Sequence, residues 1–206
     1  ININSTFATS AGSGGTVDFT NSGTLFVAAA GDMTLDGAFT QNTGPVTIAG
    51  DITTTNDNIT FNGAVTVTGA VVFAPGSASL VVNSTFTSGA NTVDVNGGVT
   101  IGAAGTLNAP TGGNTLFVLG TWTNNGSFVH NSGTVNFDGG NQTISKNTTF
   151  FNFTKTDSTN NSTDVTLTFD NTATQTVNGL LTLDGLDDND RVNLVSDLPP
   201  RSKEGC

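Results

Sequence analysis

The sequence predicts an all-β protein, a parallel β-solenoid (β-helix) of about nine short coils, with a β-sandwich as the alternative. Three observations lead there. The residues that fill the exposed face of a helix are nearly absent: one Glu, three Lys and three Gln occur in 206 residues, while Thr, Gly, Asn and Ser account for 104. An eight-residue pattern of apolar, x, apolar, x, Gly, x, apolar, Thr recurs along the chain. Apolar residues alternate with Thr, Asn or Asp in runs of about three to five residues, joined by turns too short to hold the covering helices of an ordinary parallel sheet.

The pattern first appears, incompletely, at Ile1 to Ala8, and is complete at Met33–Thr40, Val46–Thr53 and Ile59–Thr66, whose starts are 13 residues apart. It returns with Ser for Gly at Leu80–Thr87, then at Val93–Thr100 and Leu116–Thr123. Asn21-Ser22-Gly23, Asn42-Thr43-Gly44, Asn124-Asn125-Gly126 and Asn131-Ser132-Gly133 each precede an apolar run and read as tight turns, since Asn and Gly tolerate positive φ. The spacings suit a solenoid with two pattern units in many coils, and ladders of Thr34, Thr47, Thr60 and Thr166 on its outer face. Regularity fades after Asn141. Phe150-Phe151-Asn152-Phe153-Thr154-Lys155 is apolar on both faces, which suggests a coil covered by something. The solenoid is expected over 1–195, and 196–206, with Pro199-Pro200 and several charges, reads as a linker or anchor tail.

Repetition is an energetic necessity. A coil of about 22 residues points about six apolar side chains inward, worth roughly 1.5–3 kcal/mol each, against about 1.5 kcal/mol of ordering per residue. One coil alone does not fold, and stacked coils leave open strand edges at both ends that need a cap or a partner.

The net charge of −11 repels a phosphate backbone, and five basic residues cannot reverse that, so nucleic acid is excluded as a partner. No apolar run is long enough for a direct membrane span. The only cysteine, Cys206, permits no internal disulfide. The Asn- and Thr-rich, Lys-poor composition suits a secreted or cell-surface protein, with any export signal removed or outside the chain.

Residues 1–195 resemble the β-strand repeats of large bacterial and archaeal surface and adhesin-like proteins, in the style of filamentous haemagglutinin. The closest likeness runs from Gly120-Thr121-Trp122-Thr123-Asn124-Asn125-Gly126-Ser127-Phe128 through Gly133-Thr134-Val135-Asn136-Phe137-Asp138-Gly139 to Gln142-Thr143-Ile144 and Phe150. The resemblance implies a right-handed β-helix, export, and a structural or adhesive role.

Candidate sites follow from composition. His130 is the only histidine, so any histidine-based triad or metal cluster must include it; its place between Val129 and Asn131 reads as a turn. Asp94, Asp138 and Asp164 can in principle pair as hydrolase carboxylates, but scattered outward Asp serves solubility equally, and no enzyme is expected. The acidic run Asp184-Gly185-Leu186-Asp187-Asp188-Asn189-Asp190 offers several hard oxygens to calcium, through Asp184, Asp187, Asp188 and Asp190; no other cofactor is expected. Trp122 aligns with core positions of the repeat. Phe26 and Phe117 fall one step off their apolar neighbours and should face outward. Thr-x-Thr at Thr66, Thr121, Thr166 and Thr172 can bind ice when ranked regularly, and the uneven spacing leaves this a lesser alternative. The expected function is non-enzymatic: a rod-like unit of a surface fibre, stalk or sheath that associates end to end with itself, with adhesion to surface glycans as the alternative. Self-association residues are Ile1, Ile3 and Phe7 at one end and Val177, Leu181, Leu183 and Cys206 at the other.

Overall fold

A computed structural model describes residues 1–9, 12, 14–157, 163–185 and 190–198. It is all-β, with no helix among those residues, and every strand pairing is parallel. Its short strands, 27 among the described residues, wind into a β-solenoid of about eight turns, with three strands in each turn. The β-sandwich alternative is thereby excluded, since its sheets would be antiparallel.

Three sheets run the length of the stack. The first is seven strands deep, from Asn2–Ile3 through Leu25–Val27, Val46–Ile48, Val65–Val67, Thr85–Thr87 and Thr106–Asn108 to Ser127–Val129. Thr148–Phe150 and Gln175–Val177 follow it as a separate pair. The second, nine strands deep, runs from Phe7–Ala8 to Leu181–Asp184, and the third, also nine deep, from Val17–Thr20 to Val192–Ser196.

Three strands per turn revise the meaning of the repeat. Each eight-residue unit is a strand, a bend and the next strand, and a 13-residue step advances two sides of a three-sided turn. Met33–Thr40 therefore crosses from the second sheet to the third, Val46–Thr53 from the first to the second, and Ile59–Thr66 from the third to the first. The expected Thr ladder is corrected accordingly: Thr34, Thr47 and Thr60 sit on three different sheets. Ladders form between residues one full turn apart, as in Thr47, Thr66 and Thr87.

The Gly of the pattern marks the corner, where successive turns touch through backbone. A Cβ on Gly63 would lie 1.9 Å from the Gly44 carbonyl oxygen, so a side chain there would force the turns apart. Gly44 itself holds φ 78° in the Asn42-Thr43-Gly44 bend, a left-handed conformation open to glycine at no steric cost.

Period-two alternation buries one face of every strand. The core is a single column in which Leu25, Phe39, Phe61, Phe73, Phe86, Trp122, Phe137 and Phe150 are all sealed from solvent. Phe39, Phe61, Phe73 and Phe86 meet with ring centroids 5.4–6.2 Å apart, mostly edge to face, and Trp122 gathers Phe128, Phe137 and Phe150 at 5.0–6.0 Å. Trp122 is a core residue, as its place in the repeat implies, and its Nε1 donates to Thr148 Oγ1 at 3.1 Å.

The two-sided apolar run at Phe150 to Lys155 needs no covering element. It turns a corner: Phe150 ends a strand pointing inward, Phe151 occupies the bend, and Phe153 points inward from the next strand. Consecutive apolar residues at a corner can all reach the interior or its rim because the chain changes direction between them.

Candidate functional site

The open C-terminal end of the stack carries the most distinctive surface. Val177 and Leu181 to Asp184 lie on the last strands of two sides, and Val192–Ser196 on the last strand of the third. Alternation points Val177, Leu181, Leu183 and Leu194 toward the axis as in every other turn, but no described strand lies beyond them. Leu181 is 51% exposed, Leu194 49% and Leu183 40%, and Leu180, Val195 and Leu198 are exposed beside them. Val177, Leu181, Leu183 and Leu194, together with Phe153, Leu167, Phe169 and Gln175, line an apolar depression. Among the described residues no strand pairs with the outer edge of these final strands, and such an edge is the template onto which another strand adds.

The N-terminal end is the matching surface with less relief. Ile1 is exposed and its ammonium donates to the Thr24 carbonyl at 3.0 Å. Ile3, Phe7, Val17 and Phe19 are half-buried and packed against the core from one side only. The structure thus brings Val177, Leu181 and Leu183 together at one end and Ile1, Ile3 and Phe7 at the other; Cys206 lies outside the described residues.

Of the acidic run, Asp187 and Asp188 also lie outside the described residues. Asp184 is exposed at the end of its strand, and its carbonyl accepts the Asp157 amide at 2.9 Å. Asp190 is buried, its carbonyl so close to Gly185 that a Cβ there would come within 1.9 Å. Among the described residues no three His, Cys, Asp or Glu gather where they could hold a metal ion.

His130 occupies a bend. Its Nδ1 accepts the Ser132 amide at 3.1 Å, its ring lies 5.6 Å from that of Phe151, and the bend runs through positive φ at Asn131 and Ser132. Asp94 and Asp138 face outward on the second sheet. Burial pushes the Asp94 carboxyl up, with the charges of Asp138 and Asp51 adding to it, and burial pushes Asp138 up as well. Asp164 clamps the last two strands of the third sheet, since its Oδ1 accepts the Arg191 amide at 3.1 Å and its Oδ2 the Asn193 side-chain amide at 3.2 Å. Phe26 faces outward at 38% exposure, and Phe117 lies outward between Asp94 and Asn136 on the second sheet.

One residue with unusual chemistry was not legible in the sequence. Lys155 stands at an inward position of the second sheet, between Phe137 and Leu183 in register, and is fully buried. Its Nζ donates to the Gly139 carbonyl, to Gly140 O at 3.0 Å and to Gln142 Oε1 at 2.7 Å, while Gln142 Nε2 donates to Val118 O at 2.8 Å and Gly120 O at 2.9 Å. Burial pushes the ammonium down to about 8, against the opposing pull of Asp157 and Asp138. Lys155 and Gln142 replace apolar packing with a saturated polar knot that ties successive turns of backbone together. The strict alternation Asn152, Phe153, Thr154, Lys155 was the signal that could have found it, since it assigns Lys155 to the same face as Phe153.

Comparison with family models, with curated proteins and with solved structures returns no match for this chain.

Proposed function

We propose that this chain is a non-enzymatic structural unit, a stiff rod segment of an extracellular fibre, stalk or sheath, which grows by adding a second copy end to end. The observation that carries the reading is the open C-terminal turn. Its inward Leu181, Leu183 and Leu194 have no apolar layer above them among the described residues, and they stand on the second and third sheets, whose first strands open the N-terminal end. A copy displaced along the axis places Ile3, Phe7, Val17 and Phe19 over the depression and continues each parallel ladder by one step of about 4.8 Å. Such a contact is heterologous and does not close on itself, so it propagates. The resemblance to adhesin-like surface repeats supports the same reading, because in that architecture the solenoid is the shaft.

Negative-stain microscopy and sedimentation over rising protein concentration test it. Wild-type particles should lengthen in multiples of one rod, about 40 Å. Leu181→Asp with Leu194→Asp at one end, and separately Ile3→Asp at the other, should hold them at one unit. Single rods at every concentration, or variants that lengthen like the wild type, overturn the proposal.

A further inference from the structure

We propose that Lys155 and Gln142 join covalently, the Lys155 amine displacing ammonia from the Gln142 carboxamide to leave an amide bond between the two side chains. Lys155 is the one buried basic residue among those described, and Gln142 is buried beside it. Nζ stands 2.7 Å from Oε1, which is bonded to Cδ, so the nucleophile lies within about 4 Å of the carbon it attacks. The far end of the carboxamide fixes its orientation. Nε2 donates to Val118 O at 2.8 Å and to Gly120 O at 2.9 Å, which only an N–H can do, so it is the carbonyl that faces the amine.

A brace between turns does not require a lysine. Gln41, on the same sheet and fully buried, donates through Nε2 to Gly44 O at 2.8 Å and Asn21 Oδ1 at 3.3 Å, while its Oε1 accepts the Gly63 amide at 2.9 Å. There a glutamine and the backbone suffice. At Gln142 an ammonium takes the place of that amide, and an ammonium is costly to desolvate. Burial holds the amine down to about 8, against the charges of Asp157 and Asp138, so a neutral and nucleophilic fraction is present at mildly alkaline pH.

The step balances without an oxidant or a co-reactant. Rotation about χ3 of Gln142, a broad torsion, turns the face of the carboxamide to Nζ. Nζ then adds to Cδ, the carbonyl electron pair moves to Oε1, and a proton passes from Nζ to a carboxylate. That proton is delivered to Nε2 as the Cδ–Nε2 bond breaks and ammonia leaves. Asp157, which is buried, and Asp138 are the carboxylates whose charges reach the amine, and they are the proton carriers. Holding the partners together supplies an effective molarity that can reach about 10⁵ M, enough for an inert carboxamide to react slowly. Gly140, whose carbonyl Nζ contacts at 3.0 Å, is exposed, so ammonia is lost to solvent and the exchange runs one way. The bond ties the third sheet to the second across the turn where the first sheet breaks. The ladder of the first sheet stops at Ser127–Val129, and Thr148–Phe150 pairs with Gln175–Val177 apart from it. With Cys206 as the only cysteine, no internal disulfide can close that turn.

Denaturing mass spectrometry of the whole chain tests the proposal and does not depend on end-to-end association. After incubation above the pKa of the amine, the wild type should fall short of its sequence mass by one ammonia. Digestion should yield a branched peptide joining Lys155 to Gln142, which separates this bond from an Asn-Gly succinimide of equal mass loss. Lys155→Met and Gln142→Leu should keep the full mass at this site, with circular dichroism checking their fold. Asp157→Asn combined with Asp138→Asn should slow formation by an order of magnitude. Wild type that retains its full mass, or loses ammonia without a branched peptide, overturns the bond; an unchanged rate in the double Asn variant overturns the route by which the proton travels.

Discussion

Leu167 and Leu194 occupy the same register position of the third sheet one turn apart, yet Leu167 is sealed and Leu194 is 49% exposed. The same contrast recurs on the second sheet, where Phe153 is 2% exposed and Leu181, its partner in register, 51%. In the middle of the stack every inward side chain has a turn above and a turn below; in the last turn it has only one among the described residues. Burial in a solenoid is therefore a property of neighbouring turns, and an identical residue contributes to the core or to an interface according to its distance from the end.

The largest effect that sharpens this contrast is expected from the sealed region. Trp122→Ala removes the ring that meets Phe128, Phe137 and Phe150, and should cost about 3–5 kcal/mol in chemical denaturation. Leu194→Ala, at the open turn, should cost less than about 1 kcal/mol, because much of its surface is already in water. Comparable losses at the two sites would show that the last turn is covered in solution.

Corners should respond to added atoms as the core does to removed ones. Gly63→Ala places a methyl against the Gly44 carbonyl and should destabilise by about 1–3 kcal/mol, whereas Gly23→Ala, with open space around it, should stay within about 0.5 kcal/mol. Equal effects would mean that adjacent turns do not touch at Gly63.

The most specific effect is a pH dependence. Lys155 has its folded pKa pushed down to about 8, below the unfolded value of about 10.4. The folded state thus binds this proton less tightly than the unfolded chain, so the contribution of Lys155 to stability rises as pH increases from about 8 to about 10.4. Subtracting the Lys155→Met profile from that of wild type still carrying the free amine isolates it; a flat difference across that window would refute the burial of the cation.

Much of the architecture could be read from residues alone. The spacing of Val46 and Ile48, or of Ile59 and Phe61, assigned inward faces correctly because a strand has a strict period of two whatever it packs against. The Asn-x-Gly segments announced bends, and Trp122 announced itself as core through its alignment with Phe39 and Val99. What could not be read was which residues stack, since the 13-residue step looks like a rung and is two sides of a triangle. Taken as a rung, it places Thr34, Thr47 and Thr60 on one ladder. The self-association residues Leu181 and Leu183 were legible as inward positions near an end; their partner in the same depression, Leu194, was not, because it lies beyond the polar stretch between them.

Composition and alternation by themselves determined that the chain is all-β and which side of each strand faces inward, because those depend on interactions within a few residues. Only the tertiary structure decided that each turn has three sides and that Lys155 is sealed within a knot of carbonyls. Each of these is set by contacts between residues about 20 positions apart, where small differences in bend length accumulate and no local signal records the sum.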